Sequence, residues 1–335
     1  MRKAILPFLI FLSWFLNSCK TDFDINAEKK DIAIVYGLLD QTQPVQYIKI
    51  TRAFLGEGNA IEMAADAGSS SYGNDLEVTI TQISNGNEVH TFTLEKTTIA
   101  NKDSGIFYYP VQDVYRFIPS QQLAVADSFR LKIKNLITGN QITAATNLIH
   151  DFTIMKPSYN PENPLLGLVG SNLAYNTLEA SWKSGKNGRI YEPWFRFHYR
   201  EVNLTTHDTT DKFVDWHLST VKSETLKGGE TLLTNYNSED FYRRVAAEVP
   251  VDYNVVRLIG MVDFVISAGA DELSIYIDLN KPSNSIIQER PLYTNIGNGL
   301  GIFSSRYTKT LSYNLTSFSV EKLMHGEYTS ELNFQ

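Results

Sequence analysis

The chain has 335 residues, a formal net charge of −7 and 43% hydrophobic residues. That length supports about two domains with packed cores, while the acidic balance excludes the positive field that holds nucleic acid or anionic lipid. Its single cysteine excludes a disulfide framework and any zinc site built on cysteine pairs.

Arg2 and Lys3 precede an uncharged run from Ala4 to Leu16, shorter than the roughly 20 apolar residues that a membrane span requires. This is the layout of a secretory signal over residues 1–18. Leu16-Asn17-Ser18-Cys19 resembles the lipobox of bacterial lipoproteins, which implies a lipidated Cys19 as the first mature residue. From the residues alone, a conventional signal with an incidental cysteine, or a redox thiol, stays open. Each buried acyl methylene contributes about 0.8 kcal/mol, so several chains would hold the protein on a membrane. Lys20, Asp22 and Asp24 follow, a pattern similar to the export signal of Bacteroidota surface lipoproteins. It implies an outer-membrane, cell-surface location, with the periplasmic leaflet as the alternative. Residues 19–30 then read as a charged, lipidated tether.

From Asp31 the period is two. Ile32, Ile34 and Val35 open one strand, and Ile48 and Ile50 alternate with Lys49 and Thr51 in the next. The connection over residues 56–75 is long for a compact sandwich and carries Ile61 and Met63, which predicts packing on a partner or on the second domain. In "LEVTITQISNGNEVHTFTL", Asn85-Gly86 suits a type I′ hairpin turn. In "SFRLKIKNLITGNQITAAT", Phe129, Leu131 and Ile133 share one face and Arg130, Lys132 and Lys134 the other, the lysines reading as guards against edge pairing. These strands predict an Ig- or fibronectin-like β-sandwich over residues 31–155. Pro157, Pro161 and Pro164 mark a boundary.

Residues 156–335 predict a second, β-rich domain. "LEASW", "PWFRFHYREV", "NVVRLIGMVDFVI" and "ELSIYIDL" read as strands. Two short helices interrupt them, one after Ser238 as N-cap and one from Ser317 to His325 capped by Gly326. The fold class is therefore mainly β.

Catalytic and cofactor motifs are sparse. Gly297 to Gly301, "GNGLG", lacks the strand–helix setting of a phosphate loop and reads as a turn or bulge. His207 and His217 lie near Asp208, Asp211 and Asp215 without metal-ligand spacing. Asp263 interrupts an apolar strand and needs a partner, which Arg257 on the same strand is too distant to provide. No metal, no cofactor and no enzymatic activity are expected. The aromatic content points to binding. Trp182, Trp194 and Trp216 fall within 35 residues. Strand alternation puts Trp194, Arg196, His198 and Arg200 on one face, a composition suited to protein contact or to stacking on sugar rings.

Three stretches, "IVYGLLDQTQPVQYIKITRAFLGEGNAIEMA", "GIFYYPVQDVYRF" and "NIGNGLGIFSSRY", resemble a family of Bacteroidota outer-membrane lipoproteins defined by architecture rather than by an activity. The resemblance implies an N-terminal Ig-like domain, a β-rich second domain, and work beside an outer-membrane β-barrel and other lipoproteins in uptake, secretion or barrel assembly. A surface glycan-binding lipoprotein is the alternative.

Overall fold

The structure is a computed structural model and describes residues 32–53, 60–105, 108–281 and 292–335. Cys19, Lys20, Asp22 and Asp24, with the signal and tether, lie outside the described residues, as do residues 54–59, which include the first four of the long connection. The described chain is mainly β, as expected.

The first half contributes β1 (Ala33–Leu39), β2 (Gln46–Arg52), the short helices α1 (Ala60–Ala65) and α2 (Ala67–Ser70), then β3 (Leu76–Ser84), β4 (Asn87–Thr93), β5 (Glu95–Ile99), β6 (Gln112–Phe117), β7 (Ser128–Asn135) and β8 (Gln141–Asn147). They pair in the orders β1-β2-β6-β5 and β4-β3-β7-β8. With the strands lettered in sequence this is A-B-E-D facing C′-C-F-G, the Greek-key arrangement of an Ig-type sandwich. The β3–β4 turn has Asn85 at φ 49° and Gly86 at φ 82°, both positive as a type I′ turn requires. Phe129, Leu131 and Ile133 of β7 are buried while Arg130, Lys132 and Lys134 face solvent. However, β7 lies inside its sheet, between β3 and β8, so its lysines guard no edge.

The second half contributes β9 (Ile154–Lys156), β10 (Leu165–Leu166), β11 (Thr177–Lys183), β12 (Ile190–Asn203), β13 (Thr209–His217), β14 (Val221–Lys222), β15 (Thr231–Asn237), α3 (Ser238–Glu248), β16 (Val255–Gly269), α4 (Asp271–Asn280), β17 (Gly299–Leu315) and α5 (Ser317–His325). The sheet β15-β11-β9 and the β13-β12-β16-β17 portion of the large sheet share one core, which contains Trp182, Phe195, Phe197, Tyr242 and Phe264. α3 is capped by Asn237, whose side chain accepts from the Glu239 N–H, so Ser238 is the first helical residue rather than the cap. Phe241 and Val245 of α3 are buried, and Val249 closes its end.

"ELSIYIDL" is not a strand. It forms α4, which packs on the outside of β17, with Glu272 accepting from Ser304 and Tyr276 meeting Tyr36 edge-on. Its alternating apolar residues mimic period two, but Asp271 and Glu272 occupy the helix start, where carboxylates are favoured. Over so short an apolar run periodicity cannot separate strand from helix. With α1, α2 and α4, the described residues hold three helices beyond the two anticipated.

β17 joins the two halves. Gly299–Ser305 run parallel to β1 and complete the first sandwich, whereas Arg306–Tyr313 pair with β16 in the second. The expected division at 155/156 therefore does not separate the cores. Leu148 belongs to the first core and Ile149 to the second, and the late segment from Ile296 to Phe303 returns to the first. The proline cluster lies within the second half because it shapes the path from β9 to β11. The "GNGLG" glycines serve close strand approach: Gly301 has φ 100°, and a Cβ there would sit 2.0 Å from the Val35 carbonyl oxygen. Between the halves lies a buried polar seam. Asp40 pairs with Arg306 at 3.3 Å, Gln41 donates to the Ile149 carbonyl at 2.6 Å, and Ser305 donates to the Asn147 carbonyl at 2.7 Å.

Candidate functional site

β12 is 14 residues long, and its alternation divides Phe195, Phe197 and Tyr199, which enter the core, from Trp194, Arg196, His198 and Arg200, which face outward. Antiparallel pairing sets β13 beside it in register, with Trp194 opposite His217, Arg196 opposite Asp215, His198 opposite Phe213 and Arg200 opposite Asp211. Each outward arginine thus meets an acid across the strands, and His198 meets the Phe213 ring.

Arg196 forms a two-pronged bond to Asp215, Nε and Nη2 each donating at 2.7 Å. Its guanidinium lies 4.0 Å from the Phe213 ring centroid and 4.9 Å from that of Trp194, within cation–π range. Trp194 stacks on His217 with centroids 5.6 Å apart. The bond to Asp215 raises the Arg196 pKa further above its ordinary value. Arg200 donates to Asp211 at 2.6 Å, which lowers the pKa of that carboxyl. Asp263 of β16 finds its partners here: His198 Nε2 at 2.8 Å and Ser312 Oγ, which donates at 2.5 Å.

The pairing of β12 with β16 slips by one residue beside His198. Phe197 faces Val262 and Tyr199 faces Ile259, so Gly260 and Met261 together oppose His198. Such a bulge bends the strand and re-aims its side chains. Gly260 is required there, since a Cβ would lie 2.6 Å from the His198 carbonyl oxygen. The bend opens a shallow groove of about 420 Å³ lined by His198, Arg200, Asp211, Lys212 and Leu258. Leu258 in its lining and Phe213, opposite His198 on β13, remain exposed, 43% and 54%.

The order Ser312–Asp263–His198 puts the acid in the middle. A nucleophilic triad needs histidine between the hydroxyl and the acid, so this set fixes the imidazole rather than activating the serine. Two of the three acids near His207 and His217 are committed elsewhere, Asp211 to Arg200 and Asp215 to Arg196, and His217 itself meets Glu192 at 3.1 Å. Among the described residues no group of three or more His, Cys, Asp or Glu could hold a metal ion.

Of the described residues singled out from sequence, the structure unites Trp194, Arg196, His198 and Arg200 with Asp211, Asp215, His217 and Asp263, and places Trp182, Trp216, Ile61 and Met63 elsewhere. Trp182 is wholly buried in the second core. Trp216 points inward from β13 against Phe195 and Tyr236. The three tryptophans therefore form no common surface platform, because neighbours in sequence alternate between the two faces of the sheet. Ile61 and Met63 lie on α1 in the first sandwich. The described part of their loop bonds to the β5–β6 connection through the Tyr108 N–H to Ala64 carbonyl bond. Arg257, 1% exposed, donates to Glu201, Leu332 and Pro250. Sequence reasoning missed Phe213, Met261, the bulge and the pairing of Asp215 with Arg196. The alternation in "TTDKFVDWH" signals which residues of β13 share a face, but only register sets them opposite β12.

No family model and no curated protein matches this chain. Among solved structures, one titled "Structural basis for Dscam isoform specificity" aligns over 87% of this chain and 74% of that chain at 10% identity, with a TM-score of 0.17.

Proposed function

We propose that this protein is a non-enzymatic, lipid-anchored accessory subunit of an outer-membrane complex, and that its outer β12–β13–β16 face docks a protein partner, a β-barrel with or without further lipoproteins. One observation carries the docking part: half-buried Trp194 and Arg196 and exposed Phe213, Leu258 and Met261 lie beside a groove, with Arg196, Arg200, Asp211, Asp215 and Asp263 already partnered. Aromatic residues, methionine and arginine are the types enriched at interfaces. Because Arg196 is bonded to Asp215, and Asp263 to His198 and Ser312, a partner can cover these groups without leaving them unpaired. The neighbouring edge of β13 is partly shielded, since Arg244 of α3 donates to the Asp215 carbonyl at 3.2 Å. This favours docking on the face over addition of a strand.

The anchor part is supported by the sequence alone, through the lipobox-like Leu16-to-Cys19 stretch and the following lysine and acids. The glycan reading loses its support, because Trp182 and Trp216 belong to the core and Trp194 is already stacked on His217. Gentle detergent extraction and affinity purification test the proposal. A barrel protein at fixed ratio is expected with the unaltered chain and is lost with the pair Arg196→Glu and Phe213→Ser. Recovery of the unaltered chain alone refutes it.

A further inference from the structure

The first sandwich has one end toward the second sandwich and one end away from it. Register puts the start of β1, the end of β2, the start of β3 and the β7–β8 turn at the far end. Bonds knit the loops there: Ala53 N–H to the Ile32 carbonyl at 2.9 Å, Arg52 Nη2 to Gly68 at 3.0 Å, Tyr108 N–H to Ala64 at 3.0 Å, and Leu136 N–H to Asp75 at 2.8 Å.

These loop tips expose apolar groups that the fold does not call for. In the β7–β8 turn, Asn135 accepts from the Ile137 and Thr138 N–H groups and Gly139 supplies φ 76°. Those two residues make the turn. The side chains of Leu136 and Ile137 take no part in these bonds, yet the two residues stand 54% and 76% exposed. Tyr108 and Tyr109 are also exposed, in the β5–β6 connection. The chain leads toward Cys19 from this same end. Ile32 is held against Ala53, and twelve residues separate it from Cys19, a stretch that reaches at most about 40 Å even fully extended.

We propose that this end of the first sandwich rests on the lipid surface to which Cys19 is anchored, with Leu136 and Ile137 entering the acyl boundary and Tyr108 and Tyr109 at headgroup level. The inference rests on the lipid-anchor reading above. Tyrosine suits that depth because its ring is apolar and its hydroxyl remains wet. A short tether raises the effective concentration of the loops at the bilayer, so a few apolar side chains suffice. The acidic balance of the chain, −7 with the basic Arg2 and Lys3 of the signal included, favours an apolar over an electrostatic contact, so only a weak salt dependence is expected. β17 then rises from the membrane: its 13-residue step from Gly299 to Ser312 carries the Trp194–Arg200 face about 40 Å along the strand from the lipid.

The test uses the full mature chain, purified from membranes, reconstituted in phosphatidylcholine vesicles and labelled with a thiol-reactive fluorophore at Ile137→Cys. Val89→Cys on β4, near the opposite end, is the control. Lipidation consumes the Cys19 thiol, so each variant is expected to take one label. The label at 137 is expected to shift to the blue and to be quenched several-fold by lipids brominated in their acyl chains, and the label at 89 to do neither. One label per chain at 137 without quenching overturns the inference and leaves the anchor standing. Two labels per chain expose a free Cys19, which overturns the anchor and the inference with it.

Discussion

Among the described residues Arg257 is the most deeply buried cation, 1% exposed. Its Nε donates to Glu201 at 3.0 Å, Nη1 to the Leu332 carbonyl at 2.6 Å and Nη2 to the Pro250 carbonyl at 2.8 Å. Its backbone also exchanges bonds with the chain end, donating to Asn333 and accepting from Gln335, while Phe334 packs between Phe197 and Tyr199. Arg257→Met keeps much of the volume but leaves a partly buried carboxylate and two carbonyls without donors. Removing one partner of a buried ion pair costs about 3–5 kcal/mol. Each stranded carbonyl costs about 1–3 kcal/mol more. Water entering from the Glu201 side relieves part of this, so the expected net loss is about 4 kcal/mol. Arg257→Lys keeps the charge, but a single ammonium cannot reach acceptors on three segments, so it recovers roughly half of that loss. Urea unfolding followed by tryptophan fluorescence measures both, since Trp182 and Trp216 report this core. Hydrogen exchange at Gln335 reports release of the chain end. A loss below about 1 kcal/mol for Arg257→Met would refute the reasoning, because it would mean that the guanidinium bonds yield no more than an exposed pair does.

Two glycine substitutions separate conformational cost from collision. Gly86→Ala, at φ 82° with open space around it, is expected to cost about 1 kcal/mol in urea unfolding, whereas Gly301→Ala adds a clash with the Val35 carbonyl and is expected to cost more than about 3 kcal/mol, with faster proteolysis in both sandwiches. At the end of α5, Lys322 bonds to Glu327 at 2.8 Å and Tyr175 donates to it at 2.9 Å. The bond from Lys322, then backbone and Tyr175 bonds, hold its carboxyl down at about 2, below the ordinary 4.5. A lowered carboxyl stabilises the fold above the ordinary value and loses that contribution as pH falls from about 4.5 through 2. The unfolding-midpoint gap between the unaltered chain and Glu327→Gln should therefore shrink across that window, and only modestly, because the carboxylate is half exposed. A gap that stays constant from pH 6 to pH 2.5 would argue against the clamp.

The sequence by itself determined what depends on near neighbours. The Asn85-Gly86 turn, the two faces of β7, the span of α5 with Gly326, and the common face of Trp194, Arg196, His198 and Arg200 all follow from alternation, capping or turn chemistry acting over a few residues. α4 escaped for the same reason, since "ELSIYIDL" is locally compatible with either state and is settled by packing on β17. Only the tertiary structure decided the rest. Asp263 obtained its partners from β12 and β17, 65 and 49 residues away along the chain, and β17 closed the first sandwich from the far end of the sequence. Whether a tryptophan displays its ring or buries it depended on which sheet face another layer covers. The physical reason is register. A side chain's own strand fixes the direction it points, but its neighbours across the sheet depend on pairing between distant strands, where a slip of one residue, like that beside His198, changes every partner beyond it.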